Sequence, residues 1–380
     1  MRLKPMYPNY KHCIVDIPNA LLHHYGVVSK PYQMPKLKRA LKRNHRNVVF
    51  IILDGMGIDM IQHQLGRFSF LRRHVCDKIS SVFPPTTAAA TTSFYSGLMP
   101  IEHGWLGWAP YFKEVERPVE IFTNKDYYTG QKVKANLAAT MPWQHIFEKI
   151  KEVNPAIQMT EIFPQKIKSD GAADFQELCH RIIEQSKVPG DQFVLAYWGE
   201  PDHTSHMFGP YSKEVKDVLT NINACIQKMC SELKDTLVII SADHGHIENT
   251  REIYLNDYPD LMACLAAPLG LDMRAQSVML KPGKEEQFKS LFQKYLAKSF
   301  MLIKSDEALT SGLFGPGQIH PAAKDILGDY LILAKTDRTL FQRFPNDAYV
   351  HFLGVHSGLT NREMLVPLIL VKKGGTIYGR

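Results

Sequence analysis

The chain lacks any run of roughly eighteen consecutive apolar residues, the length a membrane-spanning helix requires, so no membrane span is expected. Its opening stretch, MRLKPMYPNYKHCIVDIP, holds no apolar core of signal-peptide length. Cysteine is scarce: six among 380 residues, scattered, with no Cys-x-x-Cys pair. That excludes a disulfide framework and a thiolate metal site. It leads to the expectation of a cytoplasmic location, with free thiols as core filler. Internal repeats and low-complexity tracts are missing as well, which excludes a solenoid. Excess charge is small, with 45 Lys and Arg against 38 Asp and Glu, a net +7. Such a balance suits a small anionic substrate. The densest basic run, KLKRALKRNHR (Lys36–Arg46), reads as a solvated helix face or linker. Neither a nucleic-acid polymer nor a membrane is expected as a partner, and oligomeric state has no signature.

What is present is an alternation of strands and helices. NVVFIILDG is a continuous apolar, β-branched run, as in strands buried on both faces of a parallel sheet. KISSVFPP, IQMTEIF, QFVLAYWG and TLVIISADHG read as further strands, while HRIIEQS and KEVKDVLTNINACIQKMCSELK carry helical periodicity. The alternation predicts an α/β fold with a mostly parallel central sheet flanked by helices. Residues 1–45 read as an N-terminal arm. Residues 46–269 and 346–380 are expected to form the main domain, with YVHFLGVHSG and LVPLILV returning to its sheet. Residues 270–345 read as a small α+β insertion lobe.

Acidic and histidine residues recur where these strands end. Asp54 follows FIIL, Asp202 and His206 follow VLAYWG, Asp243 and His244 follow VIISA, and His356 follows YVHFLGV. Ligands of open α/β sheets bind at the carboxyl ends of strands, so a parallel sheet would gather these six at one edge. Three carboxylates together would raise one another's pKa unless divalent cations intervene. Mixed Asp and His ligands suit zinc, with manganese as the alternative. Six ligands exceed the needs of one ion, so two divalent metal ions are expected, a recurring device of phosphoryl chemistry.

A nucleophile is sought in SVFPPTTAAATTSFYSG. Pro84 and Pro85 stop a strand, and Thr86 and Thr87 stand where a helix begins. A hydroxyl residue there is read equally as an N-cap or as a nucleophile held at a phosphate-binding helix terminus.

Taken together and in order, LDG, FPPTTAAATTSFYSGLMPIEHG, EPDHTSHMFGP, SADHG and GVHSG resemble the motifs of the alkaline phosphatase superfamily. Within it they are similar to the type I phosphodiesterase/nucleotide pyrophosphatase branch, over roughly residues 46–260 and 345–372. The resemblance implies Thr87, not Thr86, as nucleophile. It implies one metal held by Asp54, Asp243 and His244 with the Thr87 oxygen, and a second held by Asp202, His206 and His356, while His203 falls on a non-ligand position. It also implies hydrolysis of a small phosphate ester through a covalent phosphothreonine. One position departs: Ala90 stands where nucleotide pyrophosphatases usually carry asparagine. Thr91 or the Ala88 backbone N–H is left to take that phosphate contact, which bears on nucleotide substrates more than on the hydrolytic chemistry.

Trp105 and Trp108 are expected to pack internally, with stacking on a substrate ring as the alternative. His103 is expected to be structural. His246 is either structural or orients a ligand. Lys281 and Lys284 read as a solvated face. The rival functions are a phosphomutase or phosphomonoesterase of the same superfamily, and a metal-binding domain without catalysis. A sulfatase is disfavoured because no Cys/Ser-x-Pro-x-Arg sequence is present.

Overall fold

The computed structural model describes residues 5–374. Asn47–Leu53 is buried along its whole length. It pairs in parallel with Gln192–Trp198 on one side and Thr236–Ser241 on the other. These are the β-branched runs of the sequence, and burial on both faces is why they do not alternate with polar residues. The six-stranded sheet runs Val75–Ser80, Leu365–Lys373, Thr236–Ser241, Asn47–Leu53, Gln192–Trp198, Gln158–Ile162. Leu365–Lys373 is antiparallel to both of its neighbours, so it alone is reversed. The sheet is therefore mixed but mostly parallel, and the five strands of common direction deliver their carboxyl ends to one edge.

Helices cover the sheet by ordinary amphipathic logic. Lys213–Glu232 buries Val215, Leu219, Ile222, Ile226 and Met229, spaced alternately four and three. Its start is fixed by the Ser212 hydroxyl, which accepts the Val215 N–H at 3.2 Å. The N-terminal segment joins the same core: Cys13, Ile14, Ile17 and Leu21 are fully buried, and the Ile14 N–H donates to the Ser80 carbonyl at 2.9 Å. The basic run forms the helix Pro35–Leu41, burying Leu37 and Ala40 while Lys36, Lys38 and Arg39 face solvent.

A second, antiparallel sheet orders Gly270–Asp272, Ala275–Val278, Tyr330–Ala334 and Phe300–Lys304. Ile332, Phe300, Phe288 and Phe292 form a smaller core with Leu255 and Leu261. Leu271, Ala275, Leu331 and Leu333 instead belong to the main core. Because the second core reaches back to Ile253, and Arg251–Tyr254 pairs with Arg338–Phe341, we propose that the lobe begins near residue 250, ahead of the expected 270.

One expectation needs correcting. YVHFLGVHSG does not rejoin the main sheet. Only Gly354–Val355 is a strand, and it pairs antiparallel with Ile247–Glu248. Among the described residues no helix is long and apolar enough to cross a membrane, and the six cysteines are free.

Candidate metal centre and nucleophile

Backbone pairing sets the first two carboxylates. The Asp54 N–H donates to the Trp198 carbonyl at 2.9 Å, one step past the strand, and the Asp202 N–H donates to the Asp54 carbonyl at 3.0 Å. Asp243 leaves Thr236–Ser241 and accepts the Gly55 and His244 N–H groups on Oδ1, each at 3.0 Å. Gly55 is required here. It has φ +72°, and a Cβ on it would fall 2.8 Å from His246 Nε2 and 2.9 Å from Asp202 Cβ.

All six expected ligands converge. Asp54, Asp243 and His244 form one group whose ligand atoms lie within 4.8 Å of one another. His244 Nε2 stands 3.3 Å from Asp54 Oδ1 and 3.6 Å from Asp243 Oδ2. Around Asp202 Oδ1 gather His206 Nε2 at 3.4 Å and His356 Nε2 at 3.8 Å. The two groups meet where His244 Nε2 approaches Asp202 Oδ1, at 4.0 Å. His203, expected as a non-ligand, is exposed.

This donor set fits divalent cations on three counts. Asp54 Oδ1 and Asp243 Oδ2 are buried with no hydrogen-bond partner, an arrangement costly for carboxylates unless something positive meets them. The Nδ1 atoms of His206, His244 and His356 lie 2.8, 3.2 and 3.1 Å from the carbonyls of Gly354, Gly245 and Pro85. A carbonyl only accepts, so each Nδ1 carries the proton and each Nε2 presents a lone pair to the cluster. The charges agree: burial works to lower His244, yet Asp243, Asp54 and Asp202 raise it to about 10. Burial, then the Asp54 charge, pushes the Asp243 carboxyl well up. A cation would stand in for the protons that this crowding otherwise demands.

Thr87 is the first residue of the helix Thr87–Ser96. Its Oγ1 lies 3.5 Å from Asp54 Oδ2 and 3.3 Å from His244 Nε2. Thr86 holds the N-cap position of the backbone, but its hydroxyl makes no capping bond and lies instead beside the Asp272 carboxyl, so the cap reading of that side chain fails. Ala90 is fully buried. The Thr91 hydroxyl donates to the Thr87 carbonyl at 2.6 Å and so is already engaged within the helix.

Two residues at the site, Tyr197 and Asp272, carry little or no signal in the sequence, while His246 is read there as either structural or ligand-orienting. The buried Tyr197 hydroxyl donates to Asp54 Oδ2. Tyr197 sits inside an apolar strand and reads there as core. His246 Nε2 lies 2.6 Å from Asp202 Oδ1, close enough to orient that carboxylate or share its ion. Asp272 arrives from the second sheet, 5% exposed; burial raises its carboxyl, and the Thr86 and Ser357 hydroxyls beside it work the other way. A cleft of about 330 Å³ opens at Thr87, His206 and His356, and Asp272 and Trp108 also line it. Trp105 is instead buried, its indole N–H donating to the Met141 carbonyl at 3.1 Å. His103 is structural, bonded at 3.1 Å to the Ser93 hydroxyl and at 3.1 Å to the Trp105 N–H.

Residues 48–347 match the family model described as type I phosphodiesterase / nucleotide pyrophosphatase. The chain belongs to this family. Human ectonucleotide pyrophosphatase/phosphodiesterase family member 1 is 25% identical over 200 residues, which is 47% of this chain and 20% of that protein. The chain thus spans only a fraction of that relative's length. Murine ectonucleotide pyrophosphatase/phosphodiesterase 5, an inactive form in complex with AMP, superimposes with a TM-score of 0.64 at 16% identity, over 84% of this chain and 87% of that one. Phosphonoacetate hydrolase from Sinorhizobium meliloti 1021, in complex with phosphonoformate, gives a TM-score of 0.61 at 15% identity, over 86% of this chain and 90% of that one. For the type I phosphodiesterase family member described here, these two similarities establish the fold.

Proposed function

We propose that the protein is a metal-dependent hydrolase of small phosphoric diesters, acting through Thr87. The observation that carries this reading is the Thr87 hydroxyl, held at a helix start within 3.5 Å of Asp54 Oδ2 and 3.3 Å of His244 Nε2. Asp54, Asp243 and His244 would hold one divalent ion beside Thr87, and Asp202, His206 and His356 a second, with zinc or manganese fitting the donors. When bound, such ions neutralise phosphate oxygens and ease ionisation of the hydroxyl. Thr87 Oγ1 then forms a bond to phosphorus as the ester oxygen departs with its alcohol. Water cleaves the phosphothreonine and restores the hydroxyl. The free N–H groups at the start of the helix face the phosphoryl oxygens.

A diester is favoured over a monoester on charge. A dianionic monoester calls for a bidentate arginine. No arginine adjoins Thr87, and among the described residues none lines the cleft. No side chain supplies the phosphate contact that asparagine makes in nucleotide pyrophosphatases, because Ala90 is buried and Thr91 is committed to the helix, which leaves the Ala88 backbone N–H. The AMP and phosphonoformate held by the structural relatives support a small phosphorus acid as substrate class.

The test compares kcat/KM for bis- and mono-(p-nitrophenyl) phosphate on protein reconstituted with zinc or manganese. The diester is expected to react faster. A monoester preference of about tenfold, ~1.4 kcal/mol in transition-state binding, overturns the diester assignment in favour of a monoesterase or mutase. Undiminished turnover after chelation overturns the metal dependence.

A further inference from the structure

The excess positive charge of the chain is not spread over its surface. Residues 17–53 hold seven Lys and Arg and no Asp or Glu, which matches the net +7 of the whole chain, so the remaining sequence is balanced. Two of the seven are engaged within the fold: Lys30 pairs with Glu102, and Arg46 donates to the Val188 carbonyl at 2.7 Å. Lys36 meets Asp77 at 3.7 Å. Lys38, Arg39, Lys42 and Arg43 are exposed, and none has an ion pair among the described residues. The buried Leu37, Ala40 and Leu41 fix which side of the helix Pro35–Leu41 faces inward, and so hold the cations outward.

The fold extends this face and sets it toward the edge of the main sheet opposite the metal ligands. Asn47, Gln192 and Thr236 start in register at that edge. The reversed strand Leu365–Lys373 ends there and brings the exposed Lys372 beside Leu237. Lys36 and Lys372 flank Cys76, whose thiol is raised to about 11 by burial while both cations work the other way. Arg43 and Lys372 likewise flank the buried His45, which burial lowers first; Asp235, 3.7 Å from its Nδ1, opposes them. His24, at the end of the helix Asp16–His24, is lowered by burial and then by His45, so the loop that follows leaves from the same edge. On this loop Val28 is 99% exposed. Val153, 54% exposed, is its apolar neighbour, since a Cβ on Gly26 would stand 3.6 Å from Val153 Cγ1. Single apolar residues are ordinary on a surface, but these two border the one strongly cationic face.

We propose that this edge docks the protein on an anionic phospholipid bilayer. Lys38, Arg39, Lys42, Arg43 and Lys372 meet the headgroup charges, and Val28 enters the hydrocarbon boundary beneath them. The pairing of cations with an aliphatic tip selects a bilayer, because a nucleic acid would satisfy the cations but offers Val28 no apolar surface. The sequence reads the basic run as a solvated face; its union with Lys372 and Val28 is made by the fold. Because the metal ligands gather at the opposite edge, the catalytic cleft faces away from the membrane and stays open to dissolved substrate. The face locates the protein and takes no part in its reaction.

Co-sedimentation of the full chain with vesicles tests it. Vesicles of phosphatidylcholine with about 30% phosphatidylglycerol are compared with phosphatidylcholine alone, at roughly 0.05 and 0.5 M salt. The anionic vesicles are expected to bind at least about tenfold more tightly at low salt, and to lose most of that advantage at high salt. Reversing Lys38, Arg39 and Lys42 together to Glu should abolish the preference, with hydrolysis of bis-(p-nitrophenyl) phosphate unchanged. The same reversal at the exposed Lys132, Lys134 and Lys166 should leave the preference intact. Val28→Ser should weaken binding at least about threefold without altering its salt dependence. Equal binding to both vesicles overturns the inference, as does an equal loss in the two triple variants. Binding unmoved in Val28→Ser overturns the choice of a bilayer. Tighter binding to a DNA duplex than to the anionic vesicles overturns it in favour of a nucleic acid.

Discussion

Arg274 and Glu363 form a bidentate ion pair, at 2.6 and 2.9 Å, with both side chains 0% exposed. Arg274 comes from the turn before Ala275–Val278, and Glu363 from the short helix ahead of the reversed strand of the main sheet. The pair therefore joins the two sheets. Glu363 also accepts the Gly358 N–H at 2.7 Å, and its backbone carbonyl accepts the Gly245 N–H at 2.8 Å. The loops that carry His356 and His244 thus share one buried anchor. Gly358 leaves room for it, since a Cβ there would stand 2.7 Å from Arg274 Nη2.

Arg274→Met should destabilise the protein by about 3–5 kcal/mol, because it leaves the Glu363 carboxylate buried and uncompensated. Urea unfolding measures the loss. A change under about 1 kcal/mol would show that the pair is not an anchor.

Thr87→Ala should lower turnover by at least about a thousandfold with fold and metal content intact, as expected for a missing nucleophile. Thr87→Ser should retain part of the activity. Thr86→Ala should stay within about tenfold of the parent, because its hydroxyl makes no bond to the helix or the ligands. Steady-state rates with metal analysis of each variant decide; a dead Thr86→Ala beside an active Thr87→Ala places the nucleophile one residue earlier.

Tyr197→Phe removes the hydroxyl that donates to Asp54. Loss of such an orienting donor is expected to weaken metal binding by about 10–100-fold. Competition with a chromophoric chelator reads this without an activity assay. Unchanged affinity would mean that Asp54 is held by its backbone alone.

His103 is lowered to about 3, chiefly by burial. Its Nδ1 accepts the Trp105 N–H, so the buried ring is the neutral tautomer. The unfolded ring takes up a proton near pH 6.5, the folded one only near pH 3. The associated stability is thus fully present above pH 6.5 and is lost as pH falls toward 3, on the order of a few kcal/mol. His103→Gln should unfold with a shallower acid slope than the parent between pH 6 and 4, measured by denaturant titration at each pH. Parallel slopes would exclude the effect.

Much of this protein was legible in its sequence because the relevant signals are local. Asn47–Leu53 and Thr236–Ser241 have largely apolar runs because both faces are buried; Asp54 follows the first directly, and Asp243 follows the second after Ala242. Residues just beyond a buried parallel strand emerge at the sheet's carboxyl edge, so the convergence of Asp54, Asp243 and, four residues past its strand, Asp202 was legible in the pattern. What only the tertiary structure decided depends on partners distant in the chain. His356 reaches the site from a two-residue strand paired with Ile247–Glu248, outside the main sheet, and no local periodicity marks so short a pairing. Tyr197 looks like any core aromatic until the end of a neighbouring strand places Asp54 against its hydroxyl. Asp272 is an unremarked acid in a lobe until the second sheet carries it into the cleft beside Thr86. Alternation and strand ends are written in adjacent residues, whereas contacts between separate elements exist only once the whole core has packed.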